Sequence, residues 1–180
     1  DPVLTGALAV GYVRGLQGPD PLQPRVIATP KHLVAHSGPE AGRDAFSVQT
    51  APYDMEATYL PAFRRALTEG KAQSVMCAYN GIHGVPVCAA GWLFNERLRR
   101  DWGWNGLVVS DCDAIGNIAH YQRYALDNAA GSAAAINAGM DVNCGSAYAA
   151  LPKALERGLT TPAIVDRALT RTFEARKRLG

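Results

Sequence analysis

The run Leu107-Val108-Val109-Ser110-Asp111-Cys112-Asp113-Ala114-Ile115 drives a short apolar segment straight into a carboxylate. A side chain at the carboxyl end of a strand is held by rigid backbone, and in α/β barrels that rim is where the chemistry sits. Asp111 is therefore the candidate nucleophile. Its competing role is to cap the helix suggested by the residues that follow, because Asp is favoured at helix N-caps; the run alone leaves both open. The arrangement recurs along the chain. Val26-Ile27-Ala28-Thr29 leads through Pro30 into Lys31-His32, Ser74-Val75-Met76-Cys77-Ala78 leads into Tyr79-Asn80, and Gly139-Met140-Asp141-Val142 leads into Asn143.

Stretches with helical period lie between these segments and must position them. Met55, Tyr59, Leu60, Phe63, Ala66 and Leu67 share one face, and Leu93, Phe94 and Leu98 form a shorter stripe. The Ala-rich stretch from Tyr121 to Ala138 reads as a helix that Gly139 ends. Leu4, Leu8, Tyr12 and Leu16 make a stripe near the start, and Val165, Ala168, Leu169, Thr172 and Phe173 another near the end, with Thr161 as N-cap and Pro162 at the first helical position. Strands alternating with helices predict an α/β fold with a parallel sheet and crossover helices. A complete (β/α) barrel takes about 250 residues and eight strands. The 180 residues here yield four strand candidates, so the expected fold is one partial TIM-type barrel spanning residues 1–180.

With 48% hydrophobic residues and a net charge of +2, the chain can bury a sizeable core and carries no charge signature of a nucleic-acid partner. No apolar run is long enough to span a membrane. The opening Asp1-Pro2-Val3-Leu4-Thr5-Gly6 has neither an initiator Met nor a signal peptide and reads as the interior of a longer polypeptide. The compartment stays open, with a secreted or periplasmic one favoured over the cytoplasm. Cys77, Cys88, Cys112 and Cys144 lack metal-ligand spacing, and His32, His36, His83 and His120 form no metal-binding pattern, so no metal site is expected. Cys77 and Cys88 flank the turn-rich Asn80–Pro86 loop and could bridge it, or remain buried thiols.

Three motifs, in order, resemble glycoside hydrolase family 3: Lys31-His32-Leu33-Val34-Ala35-His36-Ser37-Gly38-Pro39-Glu40-Ala41-Gly42-Arg43, then Met76-Cys77-Ala78-Tyr79-Asn80, then Val109-Ser110-Asp111-Cys112-Asp113-Ala114-Ile115. The stretch from Asn137 to Gly145 is similar to the β-xylosidase and β-glucosidase members. The resemblance covers essentially the whole chain and implies the later half of an N-terminal barrel, with upstream barrel strands before it and an α/β sandwich domain after it.

The resemblance implies a retaining, exo-acting β-glycosidase that releases terminal xylosyl or glucosyl residues from an oligosaccharide or aryl glycoside without a cofactor. Asp111 takes the place of the nucleophile that forms a covalent glycosyl-enzyme. Lys31 and His32 match the pair that holds sugar hydroxyls, and their N–H groups suit that task. Arg43 matches an arginine that binds hydroxyls or steadies a carboxylate; a salt bridge with Glu40 or Asp44 is its structural alternative. Tyr79 matches the tyrosine of a Met-x-x-Tyr motif that hydrogen-bonds the nucleophile or lines the sugar site. Met76 joins the substrate-binding set, against a core-filling role. Cys112 stands where many glucosidase members carry Trp, and Ser-Asp-Cys-Asp is the commoner form in xylosidase-like members.

The acid/base carboxyl is expected from the downstream sandwich domain, and Glu40, Glu56, Glu69 and Glu96 are not assigned to it. The His-Asp loop of the N-acetylglucosaminidase branch is absent, and Asp141 reads as structural. β-Glucosidase and α-L-arabinofuranosidase activities are near alternatives within the family. Outside it stand a Schiff-base aldolase using Lys31 and a non-catalytic remnant.

Overall fold

The apolar segments that end in polar residues lie side by side. In the computed structural model, which describes residues 1–36, 38 and 42–180, strands β2 (Ser74–Cys77) and β5 (Leu107–Ser110) are parallel, with Ser74 opposite Leu107 and Cys77 opposite Ser110. Leu33 bridges Cys77 in parallel on the other side of β2, donating its N–H to Met76 O at 2.8 Å and accepting from Ala78 N–H at 2.8 Å. Beyond β5, Val142 bridges Val109, and Ser110 N–H donates to Val142 O at 2.9 Å. The spatial order thus follows the chain order, as right-handed crossovers around a barrel wall require.

Two expected strands are corrected. Residues 26–29 and 139–142 are not regular strands: pairing of the first segment falls at 30–33, and the last contributes only the bridge at Val142. Pro30 has no N–H to give a ladder and only accepts, from Met76 N–H at 3.1 Å. Gly139, at φ 107°, closes the preceding helix and leaves little length for a strand after it.

A smaller sheet, in the order β1-β3-β4, was not expected from the sequence. It joins β1 (Ser47–Val48) in parallel to β3 (Gly81–Ile82), which pairs antiparallel with β4 (Val85–Pro86). His83 and Gly84 both have positive φ, the backbone that a tight two-residue hairpin demands. A Cys77–Cys88 disulfide closes this loop, with both residues buried.

Helix α1 (Pro2–Gln17) starts on Asp1, whose carboxylate accepts from Val3 N–H at 2.8 Å. Helix α2 (Pro52–Asp54) runs into a π-helical turn, Met55–Tyr59, and on into α3 (Pro61–Thr68), so the expected stripe buries Met55, Leu60, Ala66 and Leu67. The segment Trp92–Asp101 is π-helical and buries Leu93, Phe94 and Leu98. The Ala-rich stretch is shorter than its composition suggested. Residues 121–127 are not helical; α4 (Ala114–His120) ends before them, and α5 (Asn128–Ala138) begins on Asp127, which accepts from Ala130 N–H at 2.9 Å. Helices α6 (Leu151–Glu156) and α7 (Pro162–Leu179) complete the chain. No helix among the described residues is long and apolar enough to cross a membrane.

The stripe of Leu4, Leu8, Tyr12 and Leu16 is exposed, whereas α1 packs on α3 through its Gly6, Val13 and Gln17 face. Gln17 is buried because all its polar atoms find partners: Nε2 donates to Lys71 O at 2.8 Å, and Oε1 accepts from Gln73 N–H at 3.0 Å and Ala28 N–H at 3.3 Å.

Asp141 ties the last wall segment to its helices. Its fully buried carboxylate pairs with Arg99 at 3.2 Å and Arg171 at 2.6 Å, and accepts from Val108 N–H at 2.9 Å. Removing it takes the carboxylate from Arg171 and the Val108 amide and leaves Arg99 with only the Gly139 and Gly106 carbonyls, and loss of one partner of a buried pair costs about 3–5 kcal/mol. Asp141→Ala is expected to lower unfolding stability by that amount in denaturant titration; a change below about 1 kcal/mol would mean these pairs behave like surface ones.

Candidate active site

Asp111 follows β5 directly, one residue past the last ladder position, and is 8% exposed. Its Oδ1 accepts from Cys112 N–H at 2.8 Å, and its Oδ2 lies 2.9 Å from His32 Nε2. The capping role falls elsewhere: Asp113 occupies the N-cap of α4, with φ 65° and no side-chain cap bond. Each carboxylate oxygen therefore receives one N–H and keeps a lone pair for another partner. Burial, the largest influence, lowers the His32 pKa; Asp111 raises it, while Lys31, His36 and Arg43 lower it. A neutral imidazole that donates from Nε2 fits both facts.

Tyr79 lies two residues past β2, the neighbouring strand. Its hydroxyl donates to Cys112 O at 2.9 Å and also faces Asp111. Burial first, then the Asp111 charge, push its pKa up to about 12, so the phenol remains an O–H donor across the neutral range. Gln122 Nε2 donates to Tyr79 O at 2.8 Å, and buried Asn80 donates from Nδ2 to Val34 O at 3.2 Å, which joins two neighbouring wall ends. His36 fills the space between the site residues, its ring centroid 5.1 Å from that of His32, 6.0 Å from Tyr79 and 6.3 Å from Phe46. The Arg43 guanidinium sits over the Tyr79 ring at 5.7 Å, within cation–π range.

The structure thus gathers Asp111, His32, Tyr79 and Arg43 at one rim. Lys31 is exposed beside them, close enough for its charge to act on His32. Met76 is half-buried within β2, directly opposite Val109. The alternative partner of Arg43, Glu40, lies outside the described residues with Ser37, Pro39 and Ala41; Asp44 accepts from Asn117 Nδ2 at 3.3 Å.

The sequence reading missed His36 and Phe46 as parts of the wall, and it missed the Cys112–Cys144 disulfide. A signal for the disulfide was present: both cysteines stand just beyond apolar segments, and neighbouring parallel segments end on the same rim.

Adjacent parallel strands with helices outside and a hydrogen-bonded carboxylate at their carboxyl ends define a TIM-barrel-type α/β protein with a rim site. The chain belongs to glycosyl hydrolase family 3: residues 1–175 match the glycosyl hydrolase family 3 N terminal domain. It is 38% identical over 190 residues to a probable exo-1,4-β-xylosidase of Aspergillus terreus, a match covering all of this chain and 25% of that protein. Identity to a xylan 1,4-β-xylosidase of Xylanibacter ruminicola is 38% over 184 residues, again all of this chain and 21% of that protein. Among solved structures, it is similar to a family 3 exo-β-xylosidase in complex with a xylobiose aziridine probe, with TM-score 0.93 and 32% identity over 99% of this chain and 24% of the other. A β-glucosidase from Listeria innocua in complex with glucose aligns at TM-score 0.90 and 26% identity, over 99% of this chain and 25% of that one. The chain spans about a quarter of the length of these relatives.

The opposing influences on His32 make a titration test. Its NMR-monitored midpoint is expected below the ordinary histidine value of about 6.5. Asp111→Asn should move it further down and Lys31→Ala should move it up. Because the folded value lies below the unfolded one, the His32 contribution to stability is complete above about pH 6.5 and is lost as pH falls toward the folded value. A midpoint unmoved by Asp111→Asn would separate the two groups.

Proposed function

We propose that this chain carries the nucleophile and part of the sugar-binding rim of a retaining, exo-acting β-glycosidase whose substrate ends in a β-D-xylosyl residue. The observation that carries the reading is Asp111 itself: a strand-end carboxylate oriented through both oxygens, within a rim of N–H and O–H donors. The xylosidase names of the aligned relatives and the Ser-Asp-Cys-Asp sequence favour xylose over glucose.

Asp111 attacks the anomeric carbon from one face of the ring as the glycosidic oxygen leaves from the other, forming a covalent glycosyl-enzyme. Lys31 and Arg43 donate to ring hydroxyls, contacts that strengthen as the ring flattens toward an oxocarbenium-like transition state, while His32, its Nε2–H committed to Asp111, offers Nδ1 as an acceptor for a hydroxyl proton. Tyr79 and Met76 line the site, Tyr79 as a neutral donor. A second carboxyl about 5 Å from the nucleophile must protonate the leaving oxygen and then activate water. We assign it to an α/β sandwich domain downstream of this chain, with the missing barrel strands upstream.

In the parent polypeptide, Asp111→Asn should reduce turnover of an aryl β-xyloside by about 10⁴-fold or more, and a 2-deoxy-2-fluoro-xyloside should label the peptide containing Asp111. A label elsewhere would overturn the assignment. Lys31→Ala and Arg43→Ala should each lower kcat/KM by about 10–100-fold, the scale of a hydrogen bond from a charged donor, with kcat falling as well; unchanged kinetics would return that residue to a surface role. The ratio of kcat/KM for aryl β-xyloside and β-glucoside decides the sugar. Expressed alone, residues 1–180 should hydrolyse neither, and turnover dependent on Asp111 in that chain would remove the need for a downstream acid.

A further inference from the structure

We infer that the Cys112–Cys144 disulfide is a positioning element for the nucleophile, holding the peptide that orients Asp111 and Tyr79. This rests on the functional reading above and goes beyond it. The main chain of Cys112 touches both groups: its N–H donates to Asp111 Oδ1 at 2.8 Å, and its carbonyl accepts from the Tyr79 hydroxyl at 2.9 Å. Yet this peptide lies beyond the end of β5, where no strand ladder holds it.

Its restraint comes from the next wall segment. The disulfide brings the Cα atoms of Cys112 and Cys144 to 4.4 Å. Asp113 N–H donates to Cys144 O at 2.6 Å, and Cys144 N–H donates to Ser110 Oγ at 2.9 Å. Asp113 is held at φ 65°, a left-handed backbone that persists when its surroundings impose it. Opposite it, Gly145 has φ 129°, and a Cβ there would run into the Asp113 carboxylate. The covalent bond thus fastens a turn whose other restraints are these rim hydrogen bonds and its run into α4, where Ala114 N–H donates to Asp111 O at 3.1 Å and Asn117 N–H to Asp113 O at 3.0 Å. Cys112 is exposed, whereas Cys77 and Cys88 of the other bridge are 0% and 2% exposed. A small dithiol therefore reaches the site bridge first. Thiolate attack on one sulfur gives a mixed disulfide, and closure of the dithiol into its cyclic disulfide releases two protein thiols, so the bridge gains two electrons and two protons.

The test treats the folded parent polypeptide with dithiothreitol under native conditions. Mass spectrometry of alkylated aliquots identifies when Cys112 and Cys144, but not Cys77 and Cys88, are reduced. At that point kcat on an aryl β-xyloside and the rate of fluorosugar labelling at Asp111 should both fall about 10-fold or more, the scale of a small misplacement of a reacting group. KM should change less than about 3-fold, and oxidised glutathione should restore both rates. Hydrogen exchange should rise in residues 110–114 and stay unchanged in β2. The Cys112→Ser, Cys144→Ser double variant should match the reduced enzyme and ignore reductant; if it does not fold, the reduction and reoxidation cycle still decides. Unchanged kcat after verified cleavage, or unchanged exchange at 110–114, overturns the proposal. Should the oxidised parent hydrolyse no glycoside, the functional reading fails, and the exchange measurement alone decides the positioning role.

Discussion

Parallel pairing aligns the neighbouring wall segments, with Cys77 beside Ser110 on one side of β2 and beside Leu33 on the other. In a parallel ladder the carboxyl ends of adjacent strands emerge on the same side. Register between β2 and β5 sets Cys77 beside Ser110, and the residues just past them, Tyr79 and Asp111, meet as a consequence. The bridge of Leu33 to Cys77 brings the Lys31-His32 segment alongside in the same way. Residues scattered over 80 positions of sequence form one cluster because each terminates a segment of the same wall.

That geometry has a cost at the rim. Peptides beyond the last ladder position lose their regular partners, and buried backbone polar groups must find others. Here side chains and neighbouring turns supply them: Asn80 reaches Val34 O, Gln122 reaches Tyr79 O, and Ser110 Oγ receives Cys144 N–H. The bridges Cys77–Cys88 and Cys112–Cys144 reinforce the same region. Helices are anchored to the wall separately, through the paired arginines on Asp141, so that structural and site carboxylates are distinct groups in distinct settings.

Local chemistry was legible wherever a residue's conformational demand is its own. Gly139 ends α5 because it tolerates positive φ, and Pro162 opens α7 because its missing N–H is not needed there. The stripe around Leu60 and Leu67 is buried as its period suggested. Legibility failed where a partner elsewhere decides. The stripe of Leu4, Leu8, Tyr12 and Leu16 marks one face of α1 by period, but α1 packs through another, because Gly6 permits close approach to Arg65 and Gln17 finds partners in residues 28, 71 and 73. Composition extended α5 back to Tyr121, whereas the helix starts where Asp127 can cap it.

Residue order alone carries the alternation of apolar segments and helical stretches, the placement of Asp111, Tyr79 and Lys31-His32 at segment ends, and the resemblance to a family of glycoside hydrolases. These follow from order and side-chain type, which local propensity and periodicity express directly. That His32 bonds to Asp111, that Arg43 and His36 pack around Tyr79, that Asp113 rather than Asp111 occupies the helix cap, and that Cys112 pairs with Cys144 emerge only in the folded chain. Each of these depends on which segments become neighbours and in what register, and that is settled by the packing of the whole wall rather than by any stretch of chain within it.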